Sequence, residues 1–168
     1  MGSLIKFVDA IVFIFFLAFS LMAPLLDAQI CLPRDLFPSF LIGLKNWYAR
    51  VSDDYLLVEQ PHFFVGVTLV ELLFLWPLSV AGMYGAAARK SWFSTICLVH
   101  GVSTFTCLVS LLAELLGSRK ASDRMLMTYY PFLGFALLAI LRGLLPHPAF
   151  GDSKATGKRS AFMWKKRA

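Results

Sequence analysis

The sequence has little charge and few cysteines. Charged residues make up 15% of its 168 residues, while 58% are hydrophobic and the mean hydropathy is +0.70. A soluble domain typically carries about 25% charged residues, and a disordered chain is rich in charge, so both classes are excluded. The three cysteines give no disulfide framework, the three histidines are scattered, and no glycine-rich phosphate loop occurs. We therefore expect no cofactor, no metal and no nucleic-acid partner.

What the sequence has instead is four long apolar stretches that contain a single formal charge, Glu71. They cover residues 10–26, 63–88, 91–113 and 125–141. Roughly 20 apolar residues cross a bilayer as a helix, so the pattern predicts an all-α membrane protein built as a four-transmembrane-helix bundle. Residues 1–146 would form this domain and residues 147–168 a basic tail. A cleaved signal peptide over the first 28 residues is the alternative, but no clear cleavage site precedes Asp27.

Lysine and arginine are distributed unequally between the two sides of this topology. With both termini in the cytosol, ten lie on the cytosolic side and six on the lumenal side, which favours that orientation. The chain ends in Lys-Lys-Arg-Ala, which matches the dilysine signal by which coat proteins return membrane proteins to the endoplasmic reticulum. We expect a retrieval signal at Lys165 and Lys166; the simpler interpretation is a solvated tail that meets anionic lipid head groups.

The first apolar stretch is short for a membrane span. At about 1.5 Å per residue it covers only about 25 Å of a core about 30 Å thick. Its flanks are Asp9 and Asp27, whose short side chains cannot snorkel far, so one of these carboxylates is predicted at hydrocarbon depth. The last stretch ends at Arg142, which we expect to snorkel to the interface.

Glu71 lies near the middle of the second stretch, where a carboxylate is costly and by default marks a functional site. The alternative is a protonated side chain that binds a neighbouring helix. Pro77 follows six residues later and predicts a kink, which would open a cavity beside Glu71 that Trp76 could line.

Other polar residues in the spans are candidates for the same pocket. His100 and Thr104 share a helical face in the third span, and Tyr129 precedes a proline in the fourth. Hydroxyl groups in spans more often bond their own helix, and tyrosines at a span entry usually form the interfacial belt.

The first loop, residues 27–62, has a net charge of −2 in a basic protein. Within it, apolar residues recur at helical spacing, which predicts an amphipathic helix that lies on the lumenal face and caps the bundle. Simple interfacial packing is compatible with such a lid. The residues concerned are Phe40, Leu41, Leu44, Trp47, Tyr48 and Val51.

The same loop carries a resemblance. The runs Leu-Pro-Arg-Asp-Leu-Phe-Pro at 32–38 and Trp-Tyr-Ala-Arg at 47–50, with Glu71 and Pro77 beyond them, resemble the sigma-2 receptor branch of the EXPERA-domain family, which is related to the emopamil-binding sterol isomerase. The resemblance covers roughly residues 8–145 and is weaker in the third and fourth spans.

The resemblance implies an endoplasmic-reticulum protein with a buried pocket closed by the first loop, ligands that are sterols or lipophilic amines, and a role in cholesterol handling. It implies that Asp27 pairs with the ligand's ammonium and that Asp54, or less plausibly Asp53, orients Asp27. Glu71 and Tyr129 correspond to further site positions. Tyr48, Trp76, His100 and Thr104 complete the ligand-binding candidates.

Three functions are compatible with these features. The first is a non-catalytic receptor or sterol-handling protein, and the second is a sterol double-bond isomerase, which needs an acid and a base at pocket depth. Only Glu71 and His100 lie near the midplane, so we favour the receptor. A lipid-sensing adaptor for other membrane proteins is the third. Small residues at 81, 82, 85 and 86 allow close helix approach, and a homodimer is possible.

Overall fold

The computed structural model describes residues 2–145. Across them it contains helices and no strand, as predicted. The basic tail and its lysines, Lys165 and Lys166, lie outside the described residues. The helices are α1 (Gly2–Met22), α2 (Ala28–Cys31), α3 (Ser39–Ser52), α4 (Tyr55–Glu59), α5 (His62–Val70), α6 (Trp76–Ala87), α7 (Phe93–Ser118) and α8 (Asp123–Leu144).

Four helical segments are long and apolar enough to cross a membrane, which confirms the four-span prediction. They are Ser3–Cys31, His62–Ala87, Phe93–Ser118 and Asp123–Leu144. The first is 29 residues long, so it takes in both flanking acids, Asp9 and Asp27, rather than one of them. We call the end of the bundle that carries α3 and α4 the loop end.

The first two spans are each interrupted by one turn of π-helix. The first π-turn is Ala23–Asp27, between α1 and α2, and the second is Glu71–Leu75, between α5 and α6. A π-turn accommodates one extra residue and often marks a functional site. Each lies beside a proline, Pro24 within the first and Pro77 just after the second. The π-turn before Pro77 includes Glu71 itself, while the predicted kink at Pro77 and the cavity beside Glu71 stay predictions.

The core has two parts. The loop-end core is formed by Leu56, Leu57, Phe64, Leu108, Leu111, Leu112, Leu115, Met125 and Ala136. The aromatic core, towards the other end, contains Val12, Phe15, Phe16, Phe19, Ala23, Leu75, Phe93 and Cys97. Helices α7 and α8 approach closely because Gly143 leaves room for the backbone of Leu98: a Cβ there would lie 2.5 Å from the Leu98 nitrogen.

Two of the small residues considered for a dimer face are used inside the chain. A Cβ at Gly82 would lie 2.5 Å from the ring of Phe16, and one at Gly85 would lie 2.8 Å from the ring of Trp92. These glycines let α6 pack against α1 and against the turn before α7. A homodimer stays a prediction.

Arg142 differs from its expected position. Its side chain is only 1% exposed, and its guanidinium pairs with the carboxylate of Asp9 and lies over the ring of Phe93. The expectation that Arg142 snorkels to the interface is therefore wrong. Pairing with Asp9 across the bundle replaces the water that each charge would lose. The ion pair joins α1 to α8 at the end opposite the loop.

This ion pair generates a stability prediction. Asp9→Leu should lower the free energy of unfolding by about 3–5 kcal/mol, because it leaves the buried Arg142 charge without its carboxylate. The double variant Asp9→Leu/Arg142→Met should recover much of that loss, since it removes both charges. Thermal unfolding in detergent measures both, with the exposed acid variant Glu114→Gln as a control. A single variant that unfolds at the wild-type temperature would contradict the prediction.

Candidate functional site

The two π-turns pack against each other and bring Asp27 and Glu71 into electrostatic range. Both side chains are partly buried. Across the described part of the chain, neither carboxylate accepts a hydrogen bond or joins an ion pair. A carboxylate removed from bulk water without a partner is costly, so this pair of acids is the strongest candidate for a ligand-binding site.

Asp54 is the third acid of the cluster and its bonds are satisfied. It is 3% exposed and precedes α4, where Oδ1 accepts hydrogen bonds from the backbone N–H groups of Leu56 (3.0 Å) and Leu57 (3.4 Å). Its Oδ2 accepts from the hydroxyl of Tyr129 at 2.8 Å. Burial raises the pKa of Asp54, while these three hydrogen bonds oppose the shift. The side chain thus fixes α4 to the fourth span.

The structure distinguishes the two neighbouring acids of this loop. Asp53 is exposed and adopts a left-handed backbone conformation (φ 55°), whereas Asp54 is buried. Asp54 lies within electrostatic range of Asp27, but within residues 2–145 no hydrogen bond joins them. In this structure, Asp54 can therefore influence the orientation of the Asp27 side chain through its charge and through packing, and not through a direct hydrogen bond.

Tyr48 lies on α3, within electrostatic range of Asp54 and Asp27. Burial, followed by the charges of Asp54 and Asp27, raises the pKa of Tyr48 to about 12. Its hydroxyl therefore stays a neutral hydrogen-bond donor beside the acid cluster.

Helix α3 presents a different face to the bundle from the one expected. Its apolar stripe is largely exposed, with Phe40 at 70%, Trp47 at 55% and Val51 at 53%, while Lys45 and Ser52 are buried. In a bilayer protein an exposed apolar stripe suits the membrane interface, so it does not need to pack on the protein. A helix covers the predicted residues, but its inward face is the more polar one. Its position on the lumenal face stays a prediction.

Lys45 was not predicted from the sequence as a residue near the site. It is 7% exposed, and its Nζ donates to the backbone carbonyl of Gln29 at 3.4 Å. Burial and the charge of Arg34 lower the pKa of Lys45, and the charge of Asp27 opposes that shift. The signal was its position three residues before Tyr48, which places both side chains on one helical face.

His100 and Thr104 lie in the aromatic core, apart from the acids. The Nε2 of His100 is 2.7 Å from the Ser79 hydroxyl, and its Nδ1 is 3.1 Å from the Thr104 hydroxyl. The rings of Phe15, Phe16 and Phe19 surround the imidazole at centroid distances of 4.9–5.5 Å. His100 is fully buried, and no contact in the described residues joins it to Asp27 or Glu71. This arrangement fits the structural interpretation of His100 and Thr104.

Trp76 follows the second π-turn and connects the first two spans. Its indole N–H donates to the carbonyl of Ser20 at 3.0 Å, and the side chain is 38% exposed. This bond between two spans gives Trp76 a structural role, and its place as a pocket residue stays a prediction.

A separate groove lies on the outside of the loop. It has a volume of about 660 Å³ and is lined by residues of α3, α4 and the turn between them, including Asn46, Arg50, Asp53 and Glu59. Neither Asp27 nor Glu71 lines it. The groove is lined by exposed charges and by Asp54, whose carboxylate is already hydrogen-bonded. We place the candidate site instead at Asp27 and Glu71, whose carboxylates have no hydrogen-bond or ion-pair partner within residues 2–145.

Comparison with known proteins adds a family context. Residues 40–143 match the family model described as EXPERA, the expanded EBP superfamily. Asp54, Glu71, His100 and Tyr129 fall within this range, and Asp27 precedes it.

Curated relatives carry one shared name. Sigma intracellular receptor 2 of Macaca fascicularis is 32% identical over 104 residues, which cover 61% of this chain and 59% of the relative. The Homo sapiens protein of that name is 31% identical over the same coverage. That of Xenopus tropicalis is 23% identical over 120 residues, or 70% of each chain. The match thus spans less than two thirds of the length of the first two relatives.

The hydrogen bond between Tyr129 and Asp54 generates a second prediction. Tyr129→Phe removes one donor from a buried carboxylate and should lower the free energy of unfolding by about 1–3 kcal/mol. Tyr130→Phe is the matched control, because that neighbouring ring is 48% exposed. Thermal unfolding in detergent compares them, and equal midpoints for the two variants would show that the bond does not stabilise the fold.

Proposed function

The chain belongs to the EXPERA family, and from that premise we propose that it is a multi-pass membrane receptor for a sterol or a lipophilic amine. The ligand lies in an intramembrane pocket beside the two π-turns, with Asp27 as its polar anchor. The cellular role is in sterol or cholesterol homeostasis or trafficking. The observation that carries this proposal is the pair of neighbouring carboxylates, Asp27 and Glu71, which have no hydrogen-bond or ion-pair partner in the part of the chain that the structure describes.

The chemistry of this pair supports a ligand with an ammonium or hydroxyl head and an apolar body. An ionised carboxylate in a low-dielectric site attracts a cation much more strongly than it does in water. A hydroxyl group can donate to the same oxygen. The apolar body remains among the spans, where hydrocarbon is the surrounding medium. Tyr48 adds a neutral donor, and Asp54, held by Tyr129, adds negative potential without needing a bond from the ligand.

The separation of the titratable groups supports a non-catalytic role. Isomerisation of a double bond requires an acid and a base that both reach the substrate. His100 has both ring nitrogens engaged with hydroxyl groups and is enclosed by three phenylalanine rings. The curated relatives are named as receptors. Rescue of a sterol-isomerase-deficient yeast strain by the wild-type chain would overturn this part of the proposal.

Binding tests the anchor directly. Asp27→Asn should weaken binding of a radiolabelled lipophilic tertiary amine by about 10- to 100-fold, because a charge-assisted hydrogen bond contributes about 1.5–3 kcal/mol. Asp53→Asn removes the same charge from an exposed position and should leave the affinity unchanged. Saturation binding on membranes that contain equal amounts of each protein measures the effect. Unchanged amine binding by Asp27→Asn would refute the assignment, and stable membrane partners without any ligand binding would favour an adaptor.

We place the protein in the endoplasmic-reticulum membrane with both termini in the cytosol, where coat proteins would recognise Lys165 and Lys166. Replacing both lysines by serine should release a tagged protein to later compartments, because the signal requires the two positive charges. Replacing Lys154 and Lys158 by serine removes the same charge elsewhere in the tail and should leave the distribution unchanged. Microscopy with compartment markers reads the outcome, and retention of the first variant would contradict the retrieval role.

A further inference from the structure

We infer that Lys45 is a specificity-determining residue: a tethered cation that biases the site against ammonium ligands and towards neutral lipids with a hydroxyl group. This inference rests on the proposed function and assigns to the same site the class of ligand that it favours. It also gives a role to the buried lysine, which the receptor proposal alone does not use.

The position of Lys45 is fixed by the first span. Its Nζ donates to the carbonyl of Gln29, two residues beyond Asp27. The side-chain amide of Gln29 in turn donates to the carbonyls of Leu25 (2.6 Å) and Leu41 (3.1 Å), so it fastens α3 to the first π-turn. Since Gln29 is 7% exposed, this arrangement is shielded from solvent. The ammonium is thus held beside the first π-turn rather than free on a loop.

The ammonium has capacity left for a further interaction. A lysine has three N–H donors, and Lys45 uses one of them on Gln29. Lys45 lies within electrostatic range of Asp27, yet the ion pairs in the described residues are Asp9–Arg142 and Glu59–Lys120. Each group thus lies in the electrostatic field of the other without an ion pair between them, and the lysine has donors where the aspartate has acceptors.

A hydroxyl group suits this arrangement better than an ammonium does. A hydroxyl donates one hydrogen bond and accepts two, so it can donate to Asp27 and accept from Lys45. An ammonium donates only, and it would bring a second positive charge next to a buried one. At the separations of neighbouring side chains and an effective dielectric constant of about 20, that repulsion is large enough to reduce affinity by at least about tenfold.

The experiment compares two probes on four proteins. A radiolabelled lipophilic tertiary amine and a fluorescent sterol with a free hydroxyl are titrated against wild type, Lys45→Met, Lys45→Gln and Lys45→Arg. Met keeps the aliphatic length, and Gln keeps a donor for the Gln29 carbonyl without the charge. Both variants should shift the ratio of amine to sterol affinity at least about tenfold towards the amine, and Lys45→Arg should keep the wild-type ratio.

Lys120→Met is the matched control for a lost positive charge. This lysine is exposed and pairs with Glu59, so its removal should leave the ratio unchanged. An unchanged ratio in Lys45→Gln, with binding of both probes retained, overturns the inference and leaves the receptor proposal standing. If wild type binds neither probe, the receptor proposal is refuted and the inference with it. A shift in Lys45→Met alone would assign the effect to the bond with Gln29 and would likewise overturn it.

Discussion

The rest of the structure depends on one constraint: charged side chains inside the bundle need partners in the protein, because the hydrocarbon of a bilayer cannot solvate them. Asp9 and Arg142 compensate one another, and Asp54 receives three hydrogen bonds. These contacts tie α1 to α8 and α4 to the fourth span, so each satisfied charge also holds two elements together. Within residues 2–145, Asp27 and Glu71 have no such contact. The contrast separates the acids that hold elements of the fold together from the two acids on which the proposed ligand site rests.

The two π-turns explain why the available acids meet. An extra residue in a helical turn shifts the faces that follow it and weakens the regular backbone hydrogen bonding. In both of the first two spans the inserted turn contains the acid, and the two turns pack against each other. A regular helix through Asp27 or Glu71 would direct the side chain elsewhere. Only one face of each π-turn is covered by protein: Ala23, Leu26 and Leu75 are buried, whereas Leu73 and Phe74 are exposed.

Much of the fold could be predicted from hydropathy, because four apolar runs separated by charges leave little choice of topology. The partners of individual side chains could not be predicted in this way. Arg142 was expected to snorkel because its pairing with Asp9, 133 residues away, leaves no local pattern. Lys45 was counted as a loop charge, although its helical register with Tyr48 indicated a shared face. Asp53 and Asp54 are adjacent and identical in the sequence, so the sequence alone does not show which of them is buried. The left-handed backbone at Asp53 distinguishes the two in the structure.

Distance within the bundle also limits the chemistry that the family fold can perform here. A histidine and a glutamate near the same depth would be sufficient for proton transfer if both faced one cavity. In this chain the imidazole is committed to Ser79 and Thr104 within the aromatic core, while Glu71 belongs to the π-turn next to Asp27. Moving the imidazole towards Glu71 would break two buried hydrogen bonds and three ring contacts. The proposed recognition by Asp27 and Glu71, which have no hydrogen-bond or ion-pair partner within residues 2–145, requires no such rearrangement.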